Sequence, residues 1–432
     1  MAASSDVPPA DERSWLRRHA VWLVLGGAIV GVIAAAAMLF EREVLLDEAP
    51  RLVAVFRDIP ADVPFARGLR LAVDEVNESG GINGEQLVLE EVLEEDYDLE
   101  TSAEIAVSDT LSLANSIARR SSVLAVIGHD SSATAVPASS VYDRHETVFL
   151  ATHATTVSLT EHGFRYVFGL LPNNADGAAV IAQYAIDQGM HRFVVLSDDS
   201  DYGLEAGNQF RRFVTTLGAE ILFDGDLAHH KISADRLLLF MLDNEAFDPD
   251  DIDAFFLGSI SEDETIRFIE RSRELGLTKP ILGVQNIYST YIEQEVGAES
   301  MAGVASSSTF AAESTDPQAV EFTKAFEARF GEPPDVNAAI GYDAVKLFAF
   351  VAARVRPFDS TRMADRLRVL RYEEPFVGVT GTLVFDSHGL VTDTDIYVVR
   401  HDGTSFRTVG SYRKPLDKID QVAEPAPVLV QD

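Results

Sequence analysis

Cysteine is absent from the 432 residues of this chain. That excludes disulfides, a thiolate nucleophile, cysteine metal sites and a lipidated cysteine behind a leader peptide. Positive charge is scarce: 35 Lys and Arg stand against 69 Asp and Glu, a formal charge of −34. Such a surface repels phosphate backbones and anionic headgroups, so nucleic acid is excluded as a partner. No GxSxG, HExxH or P-loop pattern occurs and no acid/base pair stands out. The chain is therefore not expected to be an enzyme, and nothing in it asks for a cofactor. Histidines are few, and the adjacent pair His229-His230 lacks a third ligand at zinc spacing, so no metal site is expected there.

Long apolar runs are also lacking, with one exception. Val21–Phe40 is twenty residues without a charge, about 30 Å as a helix and enough to cross a bilayer core. Arg13, Arg17 and Arg18 precede it, and Glu41, Glu43, Asp47 and Glu48 follow. That asymmetry puts residues 1–20 in the cytoplasm and everything after Phe40 outside. Small residues at Ala34–Ala37 also permit a cleaved signal peptide; the length of the run favours an uncleaved anchor, with residues 41–50 as a short tether.

The rest of the chain reads as globular, with 47% hydrophobic and 24% charged residues. Phe65, Leu69, Ala72, Val73 and Val76 fall on one helical face, with charge on most of the other. Pro64 suits the first turn, and Gly80-Gly81 supplies a stop. Strand-like runs flank this helix at Leu52–Phe56 and Gln86–Val92. Strand, helix, glycine turn, strand is the opening unit of an α/β domain. Helical patterns recur at 101–120, 178–188, 204–217 and 265–275, alternating with buried-strand runs at 123–128, 192–197, 220–223 and 254–258.

The wording of the first helix, GLRLAVDEVNESGGING (68–84), resembles the type I periplasmic binding proteins, the family of the leucine/isoleucine/valine-binding protein. Later segments resemble it in the same order: GHDSSATAVPASSVYDRHETVFLATHATT (128–156), FRYVFGLLPNNADG (164–177), DDSDYG (198–203), PILGVQN (280–286), GYDA (341–344) and VGVTGTLVF (377–385). The resemblance spans about residues 51–412. It implies two α/β lobes, each a parallel sheet flanked by helices, joined by three crossings near 172, 308 and 384. Lobe one would hold 51–172 and 309–384; lobe two would hold 173–308 and 385–412, with 413–432 as a tail. It further implies that Ser132, Ala154 and Thr155 hold a ligand carboxylate, that Asn174 stands at the mouth of the cleft, and that Tyr202 and Ser261 line it from lobe two.

Departures from the family pattern bear on the ligand. Gly169 replaces a common arginine, and Asn174 a common aspartate. Gln285 stands where branched-chain binders carry the glutamate that pairs with the ligand ammonium. Removing one partner of a buried pair costs about 3–5 kcal/mol. Either another carboxylate (Glu262, Asp263 or Asp201) takes the ammonium, or the ligand has none, as an amide, keto acid or aromatic acid would. The aspartates of 198–203 do not make a calcium loop, because Tyr202 and Gln209 would occupy ligand positions.

The resulting expectation is an exported, membrane-tethered receptor that presents an amino acid or related small carboxylate or amide to the permease subunits of an ABC importer. The alternative expectation is a sensory protein reporting ligand to a membrane kinase or cyclase.

Overall fold

The computed structural model describes residues 49–95, 103–227, 234–243, 248–259, 261–311 and 313–413. The anchor expected at 21–40, most of its tether, His229-His230 and the C-terminal tail beyond Arg413 lie outside the described residues. Among the described residues no helix is long and apolar enough to cross a membrane.

From Pro50 onward the chain is one compact unit. It opens with β1 (Arg51–Phe56), whose residues from Leu52 on are buried. Helix α1 (Val63–Glu78) follows with Pro64 in its first turn, and Phe65, Leu69, Ala72 and Val76 are buried along the stripe read from the sequence. It ends before Gly80 and Gly81, whose φ of +103° and +73° only glycine adopts freely. Then come β2 (Val88–Leu93), α2 (Ala103–Ala118), β3 (Val123–Gly128), α3 (Ser132–Arg144), β4 (Val148–Ala151), α4 (Ser158–Glu161) and β5 (Val167–Gly169). These strands form one parallel sheet in the order β2-β1-β3-β4-β5. Apolar side chains bury both of its faces, which is why its central strands read as unbroken apolar runs.

The second lobe runs α5 (Asn174–Asp187), β6 (Arg192–Ser197), α6 (Asp201–Thr216), β7 (Glu220–Asp226), α7 (Ala234–Asp243), β8 (Ala254–Gly258), α8 (Glu262–Glu274), β9 (Ile281–Val284), α9 (Thr290–Val296) and β10 (Val304–Ser308). The chain then returns to the first lobe with α10 (Pro317–Phe330), α11 (Val336–Ala352) and α12 (Ser360–Glu373). A small antiparallel sheet of β11 (Phe376–Gly378), β12 (Gly381–Phe385) and β13 (Val391–Thr392) follows, and its Leu383, Phe385 and Val391 enter the core of the first lobe. Finally β14 (Asp395–His401) and β15 (Phe406–Arg413) complete the second sheet, ordered β15-β14-β10-β9-β8-β6-β7 and antiparallel only at the β14 and β15 edge. The third crossing therefore follows Thr392 and not residue 384. Residues 385–392, assigned from the sequence to lobe two, stay with lobe one because β13 pairs with β12 and Leu390 bridges to Gly169.

Three helices of the second lobe begin three or four residues earlier than periodicity alone predicts, because polar caps set their starts. Asn173 makes a capping box with Asp176, Ser200 accepts from the Gly203 N–H, and Ser261 accepts from the Glu264 N–H. Asn174, Tyr202 and Glu262 consequently sit in first helical turns.

Candidate ligand-binding cleft

The carboxyl ends of parallel strands from both lobes converge on one cavity. Residues just past β1, β3 and β4 supply Arg57 and Asp62, Asp130 to Ser132, and His153. Val336, Asn337 and Ile340 at the start of α11 and Leu171 at the first crossing complete that side. The other lobe supplies Tyr202, Glu262, Gln285, Asn286 and Tyr288. Empty space there amounts to about 740 Å³, solvent at the mouth included. Open α/β sheets bind ligands at this kind of place, outside the strand ends.

Gly128, at φ +113°, turns the chain out of β3 where a Cβ would stand 1.9 Å from the Val55 carbonyl oxygen. The loop beyond is held from behind by a buried group: Glu94 Oε2 lies 2.7 Å from His129 Nδ1, and Glu94 Oε1 accepts the Asp130 N–H at 2.6 Å. His129 Nε2 in turn meets the Tyr142 hydroxyl at 3.0 Å. Burial opposes the Glu94 charge, but His129, the Asp130 N–H and Arg57 outweigh it and hold the carboxyl below its ordinary value.

At the front, Arg57 Nε is 2.5 Å from Asp130 Oδ2, and the Arg57 N–H donates to Asp62 Oδ2 at 2.9 Å. Burial and the neighbouring Asp130 charge push Asp62 up to about 9, against the pull of Arg57. Across the cavity, burial lifts Glu262 to about 7 although the Ser289 hydroxyl donates to it at 3.3 Å. Burial also lowers the His153 imidazole, which keeps it neutral. Two hydroxyls stand ready. Ser132 is 4% exposed and Tyr288 6%, and neither hydroxyl hydrogen-bonds to another described residue. Ser132 also opens α3, where the N-cap Ser131 makes no side-chain cap bond. First-turn N–H groups of a helix in that state attract an anionic or carbonyl oxygen.

Of the residues singled out in the sequence, the fold brings Ser132, Tyr202 and Gln285 together in this cavity. The Tyr202 hydroxyl is tied to the Val284 carbonyl, so its ring is the surface it presents. Gln285 holds a left-handed φ of +48°, and its carbonyl accepts the Tyr288 N–H. Ala154, Thr155 and Asn174 do not line the cavity. All three are buried behind it: the Thr155 hydroxyl donates to Asn174 Oδ1 at 2.6 Å, and Asn174 Nδ2 donates to Glu205 Oε2 at 3.1 Å. Ser261 does not line it either, because its hydroxyl is spent capping α8. Among the carboxylates offered as substitutes at the ammonium position, Glu262 faces the cavity. The Asp263 side chain is 69% exposed and near Arg267, and Asp201 is exposed.

Sequence reasoning missed Arg57, Asp62, Asp130, His153 and Tyr288. A signal existed for all five, since each lies within six residues of the end of a strand, where an α/β sheet presents its loops to ligand.

A family model described as periplasmic binding protein matches residues 60–405. The chain belongs to the periplasmic binding protein family. Among curated relatives, the Leu/Ile/Val-binding protein homolog 1 of Brucella abortus is 26% identical over 373 residues, covering 83% of this chain and 91% of that one. The leucine-, isoleucine-, valine-, threonine- and alanine-binding protein of Pseudomonas aeruginosa is 23% identical over 343 residues, covering 79% and 86%. Among solved structures, an ABC transporter substrate-binding protein from Desulfitobacterium hafniense in complex with Leu superposes with a TM-score of 0.69 at 27% identity, covering 83% of this chain and 99% of that one. As a periplasmic binding protein, this chain is a solute-binding protein whose folded part works outside the cytoplasmic membrane.

Proposed function

We propose that this protein captures an amino acid, or an amide or small carboxylate related to one, between its lobes and delivers it to an ABC importer. One observation carries the reading: a single cavity lined from both lobes holds Ser132 and Tyr288, whose hydroxyls hydrogen-bond to no other described residue. A hydroxyl on a cavity wall with no protein partner is available to donate to a ligand oxygen or accept from a ligand N–H. Ser132 and the first N–H groups of α3 hold a carboxylate or carbonyl oxygen; the Tyr202 and Tyr288 rings and Glu262 form the opposite wall. Curated relatives named for branched-chain amino-acid binding, and a structural relative solved with leucine, support the substrate class. In this reading residues 21–40 keep the receptor on the membrane beside its permease.

Uptake measurements test it. Cells lacking the gene should lose import of at least one amino compound, and that compound at a hundredfold excess over its dissociation constant should stabilise the purified full-length protein by about 2.7 kcal/mol. Unchanged uptake across amino acids and their amides would sink the importer assignment. Membranes from the same wild-type cells should retain the protein through alkaline carbonate extraction; release into the soluble fraction would replace the anchor by a cleaved leader.

A further inference from the structure

The cavity does not have balanced charge. Among the described residues three carboxylates line it, Asp62, Asp130 and Glu262, against one guanidinium, Arg57. The Arg57 guanidinium is already engaged with Asp130 at 2.5 Å and Asp62 at 3.8 Å, and burial holds His153 neutral. Asp335 lies close behind, fully buried, accepting from the Thr290 hydroxyl and the Ala338 N–H, each at 3.0 Å. Among the described residues no second cation lines the cavity to offset Glu262. A leucine zwitterion entering here would leave that excess unchanged, and an amine-free acid would deepen it. Closing lobes over uncompensated negative charge is costly, because desolvated charges need partners. The empty cleft meets part of that cost with protons, on Glu262 near 7 and on Asp62 near 9.

Resting on the reading above, we propose that the ligand is an amino compound of net positive charge, with its ammonium on Glu262 between the Tyr202 and Tyr288 rings. Glu262 takes over the role left vacant by the amide of Gln285, but from the first turn of α8 and not from the end of β9. The two aromatic faces add a cation–π contribution that a neutral or anionic ligand cannot use. The Ser132 hydroxyl then donates to a neutral carbonyl as readily as to a carboxylate. An amino-acid amide, or an amino acid with a cationic side chain, balances the Glu262 charge and gives Ser132 an acceptor.

Three net charges on one side chain give a direct test. Full-length protein is titrated by calorimetry with leucinamide, leucine and 4-methyl-2-oxopentanoate, and with the same triplets built on phenylalanine and alanine; lysine and arginine are added as amino acids of positive charge. The expected result is that the cationic members bind about tenfold or more tightly than their zwitterionic parents, and that oxo acids do not bind. Glu262→Gln should abolish that preference while the ligand-free variant melts within a few degrees of wild type. Binding should release protons, seen as a dependence of the observed heat on the buffer's ionisation enthalpy. Tighter binding of the zwitterions or of the oxo acids overturns this inference and leaves the receptor reading standing. If no compound of any series binds, both fall.

Discussion

Glu94 ties the loop that enters the cleft to the core behind it. It sits one residue past β2, nearly buried, and one carboxylate spans the His129 ring and the Asp130 N–H. The loop that carries Asp130 and Ser132 into the cavity is therefore fixed from the core side and not by its own turn. Removing one partner of such a pair leaves the other buried without compensation, at a cost of about 3–5 kcal/mol. Glu94→Gln should lower the urea midpoint at pH 7 accordingly. The sign with pH follows from the depressed carboxyl of Glu94. Its contribution is fully present above the ordinary glutamate value near 4.5 and is lost as the pH falls through the lower folded value. The variant's stability should thus converge on wild type at acid pH; a constant gap between pH 7 and pH 3 would show that the pair does not depend on the Glu94 charge.

At the level of elements, the cleft's wall depends on how closely two helices approach. Helices α1 and α11 touch backbone to backbone at two glycines. A Cβ on Gly68 would stand 2.0 Å from the Ala338 carbonyl oxygen, and one on Gly341 would stand 2.6 Å from the Phe65 carbonyl oxygen. Gly68→Ala has no flexible side chain to push aside, so the helices must separate, costing about 1–3 kcal/mol. Because Val336, Asn337 and Ile340 wall the cavity from the same helix, ligand affinity should fall together with the urea midpoint. An unchanged midpoint would mean that the two helices part freely. The existence of α1 was plain from its apolar stripe and its glycine stop, as were the strand–helix alternation and the family likeness of six later segments. Helix starts were less plain, since α5, α6 and α8 begin at polar caps that precede the apolar periodicity.

For the molecule as a whole, the question is what holds the lobes together. Glu205 on α6 of the second lobe accepts the Val157 N–H of the first at 3.2 and 3.3 Å, and also the Asn174 amide at the crossing. Thr155, tied to the same Asn174, thereby belongs to a contact between lobes. Thr290 and Asp335 make a second such contact at 3.0 Å. Hinge closure in a two-lobed receptor is an equilibrium that contacts of this kind bias. Glu205→Ala should shift the ligand-free protein toward open forms, seen as a larger radius of gyration in solution scattering, with affinity reduced several-fold. Saturating ligand should restore the compact form; an unchanged radius without ligand would show that closure does not depend on Glu205.

The sequence by itself determined the two-lobed α/β architecture, the order of its elements and the family, because periodicity, turn residues and motif order are properties of neighbouring residues. Ser132, Tyr202 and Gln285, singled out by their motifs, do line the cavity. Only the tertiary structure decided the charge of the cleft. Arg57, Asp62, Asp130, Glu262 and Tyr288 follow the ends of four different strands, and only the packing of two sheets brings them together. It also decided that Thr155 and Asn174 face a lobe contact and Ser261 a helix cap, since a hydroxyl or amide goes to whichever partner folding sets within hydrogen-bond reach.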